Sequence, residues 1–196
     1  MLSPFGAIGG RKMFVQRERG LLVVVDMQER LLPVMYNAQE VEENILKLLA
    51  LAKTYQWPVL LTEQYPKGLG RTVEGLKKEL GDLYSPIEKV SFSCMGSEAF
   101  RDRIFQLKRD GRDQVVVTGI EAHVCVYQTV MHLLTQGWEV HLASDGVGSR
   151  VQRNHLWALD IMDNAGAWIK PTETIIFEVL EQAGTPQFKA MMPYIK

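Results

Sequence analysis

The apolar residues of this chain fall into two alternating patterns. Short continuous runs rich in Val, Ile and Leu, such as residues 21–25 and 115–120, are separated by segments whose apolar residues recur every three or four positions. Continuous apolar runs are typical of strands buried on both faces, and the second pattern is typical of helices that cover a sheet. The alternation therefore predicts an α/β fold with three layers: a doubly wound, six-stranded, mainly parallel sheet with helices on both faces. The six predicted strands lie near residues 21–25, 58–62, 86–90, 115–120, 138–143 and 167–170.

The length of the chain, 196 residues, and its hydrophobic content of 46% fit one domain with a sizeable core. We predict a single domain over residues 19–196, preceded by a solvated N-terminal extension over residues 1–18. Four basic residues in the first twenty stand against one acid, Glu18, so a mitochondrial presequence is the alternative for this segment. The basic residues are Arg11, Lys12, Arg17 and Arg19.

The charges of the chain nearly cancel, with 22 Lys and Arg residues against 23 Asp and Glu residues. A protein that binds nucleic acid or a membrane surface needs an excess of basic residues on one face, so the composition argues against both partners. A small, roughly neutral molecule is the expected partner. The chain has only two cysteines, Cys94 and Cys125, which is too few for a disulfide scaffold and favours a reducing compartment, the cytoplasm.

Three residues that can take part in chemistry lie at or near the ends of predicted strands. Asp26 follows the first strand, Lys89 lies in the third, and Cys125 follows the fourth at the start of a helical pattern. If the strands are arranged in the common order 3-2-1-4-5-6, the ligand crevice lies between strands one and four. That order brings Asp26 and Cys125 together, whereas Lys89, on an edge strand, has to reach inward.

A thiol, a carboxylate and an ammonium at strand ends are suited to covalent catalysis on a carbonyl group. We expect the first turn of a helix to lower the pKa of the Cys125 thiol and so to favour the nucleophilic thiolate. Each residue alone also has a purely structural interpretation. Asp26 could cap a turn, Cys125 could be a core residue, and Lys89 could be a solvated lysine.

Three segments of the sequence resemble the signature stretches of the isochorismatase-like cysteine hydrolases. They are Val-Asp-Met-Gln at residues 25–28, Glu-Lys-Val-Ser-Phe-Ser at 88–93 and Gly-Ile-Glu-Ala-His-Val-Cys-Val at 119–126. Residues 62–70 and 177–189 also resemble the branch of uncharacterised isochorismatase-domain hydrolases. The resemblance covers the chain from about residue 21 to its end.

The resemblance implies roles for particular residues. Cys125 would be the nucleophile, Asp26 the base that takes its proton, and Lys89 the cation that holds the carboxylate and stabilises the thiolate. The backbone amides of Glu121 and Cys125 would form the oxyanion hole, presented by a cis peptide bond between Ile120 and Glu121.

Some members of this family, the nicotinamidases, bind a metal with an aspartate and histidines after the second strand. This chain has Glu63, Gln64 and Tyr65 in that region, and its four histidines come later, at positions 123, 132, 141 and 155. No spacing typical of zinc ligands is present in the sequence, so we predict a site without metal or cofactor.

Five residues next to the predicted strand ends are candidates for the wall of a substrate pocket, because aromatic and polar side chains together suit a small ligand. They are Gln64, Tyr65, Phe92, Glu121 and His123. We interpret Asp145 as a residue that caps a helix or holds a turn. Cys94 is interpreted as a packed thiol, with a redox partnership with Cys125 as the alternative.

The leading functional hypothesis is a hydrolase that cleaves a C–N bond of a small amide-like substrate through a thioester on Cys125. The first alternative is hydrolysis of a vinyl ether such as isochorismate, which proceeds by protonation and does not need a thiol. The second is a scaffold that keeps the fold without turnover.

We also expect a homo-oligomer, for two reasons. The family resemblance implies assembly, and the chain has large apolar residues that would favour it if they lay outside the core. Those residues are Trp57, Trp157, Met191 and Met192.

Overall fold

A computed structural model describes residues 13–195 of the chain. Its centre is a six-stranded sheet in the order β3-β2-β1-β4-β5-β6. Every neighbouring pair of strands is parallel, so the predicted fold class is confirmed, with a sheet that is entirely rather than mainly parallel. The strands are β1 (Gly20–Val25), β2 (Val59–Gln64), β3 (Ile87–Lys89), β4 (Gln114–Ile120), β5 (Glu139–Gly148) and β6 (Trp168–Lys170).

Helices cover both faces of this sheet. They are α1 (Ala38–Thr54), α2 (Pro66–Leu69), α3 (Glu74–Leu80), α4 (Glu98–Arg109), α5 (Tyr127–Thr135), α6 (Gln152–Asn164), α7 (Thr172–Leu180) and α8 (Pro186–Met191). Alternate residues of β1 point to opposite faces, so Leu22 and Val24 pack with α1, α3, α7 and α8, whereas Leu21, Val23 and Val25 pack with α4, α5 and α6. All six residues of β1 are buried, which explains why its sequence is a continuous apolar run.

β5 is longer than the sequence predicted. It continues through residues 144–146, where a turn was expected, and the register of β4 against β5 shifts between Val117 and Gly119. Asp145 lies in this irregular part and accepts hydrogen bonds from the backbone nitrogen and the hydroxyl of Thr172, both at 2.7 Å. Asp145 therefore lies within β5 instead of a turn, and it holds the N-terminus of α7, because Thr172 is the first residue of that helix.

The predicted N-terminal extension lies partly outside the described residues, which begin at residue 13. Of the rest, Val15 is buried and its backbone nitrogen donates to the Glu178 carboxylate at 3.0 Å. Trp57 and Met191 are buried as well, so they are wrong as candidates for an assembly surface, whereas Trp157 is 62% exposed. Among the helices of the described chain, none is both long enough and apolar enough to cross a membrane.

Candidate active site

Asp26 directly follows β1, in the left-handed region of backbone space with a φ of 51°. Its side chain is fully buried, and both carboxylate oxygens have hydrogen-bond donors. The Thr62 hydroxyl, near the end of β2, donates to Oδ1 at 2.7 Å, and the Lys89 ammonium donates to Oδ2 at 2.6 Å. The carboxylate is thus fixed from both sides, away from water.

Lys89 ends the edge strand β3, yet its ammonium crosses above β2 to reach Asp26. In the sheet register Lys89 is opposite Gln64, whose Oε1 accepts a hydrogen bond from the ammonium at 2.9 Å. The carbonyl oxygens of Phe92 and Ser91 accept at 3.0 and 3.2 Å, because the chain after β3 turns back over the end of the sheet.

The protonation of Lys89 depends on two opposing effects. Burial alone lowers the pKa of the ammonium, but the negative charge of Asp26, with smaller contributions from Cys94 and Cys125, outweighs it and raises the pKa above its ordinary value. Lys89 therefore stays a cation at neutral pH, and the site contains an ion pair whose two side chains are both inaccessible to solvent.

Cys125 lies in a π-helical turn, Ala122–Val126, that leads from β4 into α5. The residue is 7% exposed. Burial and the negative charge of Asp26 raise the pKa of the thiol, the positive charge of Lys89 opposes them without cancelling them, and a hydrogen bond with Asp26 raises it further. The expected lowering of this pKa by the helix terminus is wrong, because loss of water and the adjacent carboxylate are the stronger effects.

β1 and β4 approach each other closely just before Asp26 and Cys125. Val25 is opposite Gly119, and Gly119 has a φ of 115°. A β-carbon at Gly119 would lie 2.1 Å from the carbonyl oxygen of Val25, so only glycine fits there. The peptide bond that follows, between Ile120 and Glu121, is cis. Asp26 and Cys125 therefore follow two neighbouring strands at the point where the strand order of the sheet reverses, and the Asp26 carboxylate is near enough to raise the pKa of the Cys125 thiol.

Two threonines that the sequence reasoning passed over support this arrangement. Thr62 holds Asp26, and the Thr129 hydroxyl donates to the carbonyl oxygen of Cys125 at 2.7 Å while accepting from the backbone nitrogen of Cys94 at 2.9 Å. A threonine at the end of an apolar strand, as in residues 59–62, is a signal that could have found Thr62. Thr129, inside an ordinary helical pattern, offers no such signal.

Cys94 is completely buried, with its sulfur 3.7 Å from the Thr62 hydroxyl oxygen. Burial, reinforced by the charge of Asp26, raises the pKa of its thiol to about 11. The interpretation of Cys94 as a packed thiol agrees with this position, and both cysteines are free of disulfide bonds.

The residues predicted for the pocket wall differ in their availability to a ligand. Tyr65 and Phe92 are exposed, at 54% and 55%, beside the strand ends that carry the site. Gln64 is engaged at both ends, since its Oε1 accepts from Lys89 and its Nε2 donates to the carbonyl of Val90 at 2.8 Å. Its side chain positions Lys89 instead of being free to bind a ligand.

Glu121 and His123 are held by the segment that follows β5. One oxygen of the Glu121 carboxylate accepts from the side chain and the backbone of Arg150, at 3.0 and 3.2 Å. His123 Nδ1 lies 2.9 Å from the Ser149 hydroxyl. These contacts fix the turn that carries Cys125 and leave the Glu121 side chain engaged.

Glu63 occupies the region where some members of the family bind a metal. Burial alone would raise its pKa, but hydrogen bonds from Thr72, Tyr84 and Arg71 lower it below the ordinary value. The carboxylate holds the loop after β2 in place. Within residues 13–195, no three or more His, Cys, Asp or Glu side chains form a group that could hold a metal ion.

Comparisons with known proteins agree with the fold. Residues 20–174 match the sequence profile described as the Isochorismatase domain. The chain is 38% identical over 175 residues to isochorismatase domain-containing protein 2 of Danio rerio. The aligned region covers 86% of this chain and 83% of the relative. It is also similar to the solved structure of a MAR1 ribonuclease from Caenorhabditis elegans, with a TM-score of 0.84, 33% identity and coverage of 93% and 92% of the two chains. The YcaC gene product of Escherichia coli, described as an octameric hydrolase of unknown specificity, shares the fold at 21% identity and a TM-score of 0.85, over 94% of this chain and 91% of its own.

Proposed function

Because this chain belongs to the isochorismatase family, we propose that it is a hydrolase that cleaves a C–N bond of a small, amide-like substrate through a thioester on Cys125. The observation that carries the proposal is the buried ion pair of Asp26 and Lys89, 2.6 Å apart, beside the Cys125 thiol, whose pKa the Asp26 carboxylate raises. That combination supplies a base, a cation and a nucleophile, which acyl transfer requires.

The first step is a proton transfer coupled to attack. Since the pKa of Cys125 is raised, the resting sulfur carries its proton and a base has to remove it. Asp26 takes that proton as the sulfur forms a bond to the substrate carbonyl carbon, and the carbonyl electron pair moves onto oxygen. Lys89 remains protonated and balances the negative charge that passes from the carboxylate to the sulfur and the oxygen.

The second step breaks the C–N bond. The backbone amides of Glu121 and Cys125 are the proposed donors to the oxyanion, because Glu121 directly precedes the π-helical turn that presents the sulfur and Cys125 lies within it. When the oxyanion collapses, the proton on Asp26 moves to the nitrogen, which leaves as ammonia or an amine. The acyl group remains on sulfur as a thioester.

The third step releases the acid. A water molecule gives a proton to Asp26 and attacks the thioester carbon, and the sulfur leaves and recovers that proton. The products are a carboxylic acid and the free enzyme, so atoms and charge balance over the cycle.

Exposed Tyr65 and Phe92 supply apolar surface for the substrate. Both cysteines are unpaired, which supports the cytoplasm as the compartment of this reaction.

The decisive experiment is a panel of small primary amides, ureides and N-carbamoyl compounds tested with the wild type, Cys125→Ala and Cys94→Ala. We expect Cys125→Ala to lose turnover and Cys94→Ala to keep it, because Cys125 is the proposed nucleophile whereas the Cys94 side chain is completely buried. Mass spectrometry of the quenched reaction should detect the acyl group on the peptide that contains Cys125.

Three outcomes would point elsewhere. Amide turnover retained in Cys125→Ala removes the thioester mechanism, and turnover of isochorismate by that variant favours vinyl-ether hydrolysis. Absence of turnover with every compound of the panel and with isochorismate favours a scaffold.

A further inference from the structure

Helix α6 presents an apolar strip to solvent. Its 13 residues span about 20 Å, and its inner face is buried against the core. Three large apolar side chains face outward: Leu156 at 57% exposure, Trp157 at 62% and Ile161 at 44%. Leu156 and Trp157 line a shallow groove of about 310 Å³ together with Arg153 and Asp160. These five residues are called the α6 face.

The two charged residues of the α6 face are available to a partner. In the described part of the chain neither Arg153 nor Asp160 forms an ion pair, whereas other helix charges do, such as Lys53 with Glu79 at 2.7 Å. Arg153 comes four residues before Trp157 and Asp160 three residues after it. At 100° per residue, both lie on the same side of Trp157, one towards each end of the helix.

This arrangement is complementary to itself in one orientation only. A twofold axis that lies in the contact plane, perpendicular to the helix and close to Trp157, reverses the helix direction and keeps the side on which each residue lies. It therefore places Arg153 of one copy against Asp160 of the other, twice. A parallel pairing would instead place Arg153 beside the same arginine of the second copy, and Asp160 beside the same aspartate, so that like charges would be nearest to each other.

We propose that the α6 face binds the α6 face of a second copy of this chain, in an antiparallel pair centred on Trp157. The contact has an apolar centre and two symmetric ion pairs, which is the form that an isologous dimer interface takes. A different protein would have to present the same alternation of charge around an apolar centre, which the second copy supplies by symmetry. The inference goes beyond the proposed reaction and does not depend on it.

The first test is a charge exchange followed by sedimentation velocity over a wide range of protein concentration. We expect the wild type to associate, and Arg153→Asp and Asp160→Arg each to weaken the dimer by at least about tenfold, because each creates two like-charge contacts. The double variant Arg153→Asp/Asp160→Arg should restore the wild-type affinity. Arg109→Asp, a charge reversal at an exposed position of α4, is the matched control and should change nothing.

A second test uses cross-linking, which does not require the charge variants to fold. The two native thiols are buried, whereas position 157 is exposed. In the Trp157→Cys variant, the new cysteine is therefore the thiol within the described residues that an oxidant can reach. Under mild oxidation we expect a covalent dimer that forms through position 157. A wild type that stays monomeric, charge reversals that leave the dimer unchanged, or a Trp157→Cys variant that fails to cross-link would each overturn the proposal.

Discussion

Two buried lysines, at opposite edges of the sheet, have different chemical surroundings. Lys89 ends β3 and Lys170 ends β6, and each of these strands is three residues long. Each ammonium lies against a carboxylate, at 2.6 Å from Asp26 and 2.8 Å from Glu178. The first pair interacts electrostatically with the Cys125 thiol, because Asp26 follows a central strand next to the strand that leads to Cys125, whereas no thiol of the described chain influences Lys170.

The difference appears in the protonation of the two lysines. The pKa of Lys170 is lowered, since burial outweighs the hydrogen bond and the charge of Glu178, whereas the pKa of Lys89 is raised. Lys170 donates to the Met13 carbonyl and lies 5.8 Å from the centre of the Trp168 ring. A buried ion pair at a strand end is therefore not by itself a site. The proposed function assigns a reaction to the pair that has a thiol beside it.

The largest expected effect separates the two pairs by function. Lys89→Met should lower kcat on the best amide substrate by about a hundredfold or more. The negative charge that develops on the sulfur and the carbonyl oxygen in the transition state would no longer be balanced by a nearby cation. Lys170→Met should leave the activity of the folded protein unchanged and lower the free energy of unfolding by about 3 to 5 kcal/mol, since Glu178 keeps its burial without its partner.

Steady-state kinetics and urea unfolding on both variants measure this contrast. Equal losses of kcat in the two variants, after correction for the folded fraction, would mean that the contact with the thiol does not distinguish Lys89 from Lys170.

The next prediction concerns the carboxylate of the active pair. Asp26→Asn should lower kcat by roughly 10²- to 10⁴-fold, because the base is lost. The same change should lower the pKa of Cys125, since the negative charge that raises it is removed and Lys89 remains. The thiolate fraction at neutral pH then increases, and alkylation by iodoacetamide becomes faster.

Alkylation rates measured from about pH 6 to about pH 10, a range that brackets the ordinary thiol pKa of about 8.5, test whether alkylation becomes faster while turnover becomes slower. In the wild type the rate should still be rising with pH above the ordinary thiol pKa. If Asp26→Asn slows alkylation and turnover alike, Asp26 does not raise the pKa of the sulfur.

A smaller effect is expected from the hydroxyl that orients Asp26. Thr62→Val removes the donor to Oδ1 with little change of shape, and one hydrogen bond to a charged group is worth about 1.5 to 3 kcal/mol, or roughly ten- to a hundredfold in rate. We expect kcat to fall and KM to stay constant, because Thr62 acts through Asp26. Thr62→Ser keeps the hydroxyl and should retain most of the activity, and a serine variant as slow as the valine variant would show that the methyl group is what matters.

The last prediction concerns the pH dependence of stability that His141, near Lys170, should cause. His141 is fully buried in β5, and neither ring nitrogen has a hydrogen-bond partner within the described chain. Burial, with the positive charges of Lys170 and Arg19, lowers the pKa of His141 from 6.5 to about 3. The unfolded chain therefore binds a proton below pH 6.5 that the folded chain does not bind until about pH 3. As the pH is lowered through that window, the free energy of unfolding should fall by up to about 1.4 kcal/mol per pH unit.

His141→Leu should flatten this acid dependence without altering kcat, which urea unfolding midpoints at neutral and acidic pH would measure. An unchanged acid dependence in the leucine variant would assign the effect to other groups.

The sequence predicted the layers of the fold and the placement of Asp26 and Cys125 after two neighbouring strands, because both follow from strand order and from the common edge at which parallel strands end. It did not predict how Lys89 reaches them. That contact depends on the turn after β3, where the carbonyls of Ser91 and Phe92 receive the ammonium. Backbone carbonyls carry no sequence signal, so this part of the site could not be read from residue types.

The direction of the Cys125 pKa was predicted wrongly for a related reason. A helix terminus is visible in a sequence, whereas the degree of burial of one sulfur and the distance to one carboxylate are not. Gln64 illustrates the same limit, since its position next to the site was predicted but its amide is occupied by Lys89 and Val90.

The close approach of β4 to β1 at Gly119 has a consequence for anyone who wishes to redesign the substrate range. A side chain at that position would collide with the Val25 carbonyl, so the separation of the two central strands cannot be tuned by substitution there. Under the proposed function, variation is better introduced at Tyr65, Val90 and Phe92, which are all exposed beside the strand ends. Libraries built at those three positions should change selectivity while the reacting groups keep their spacing.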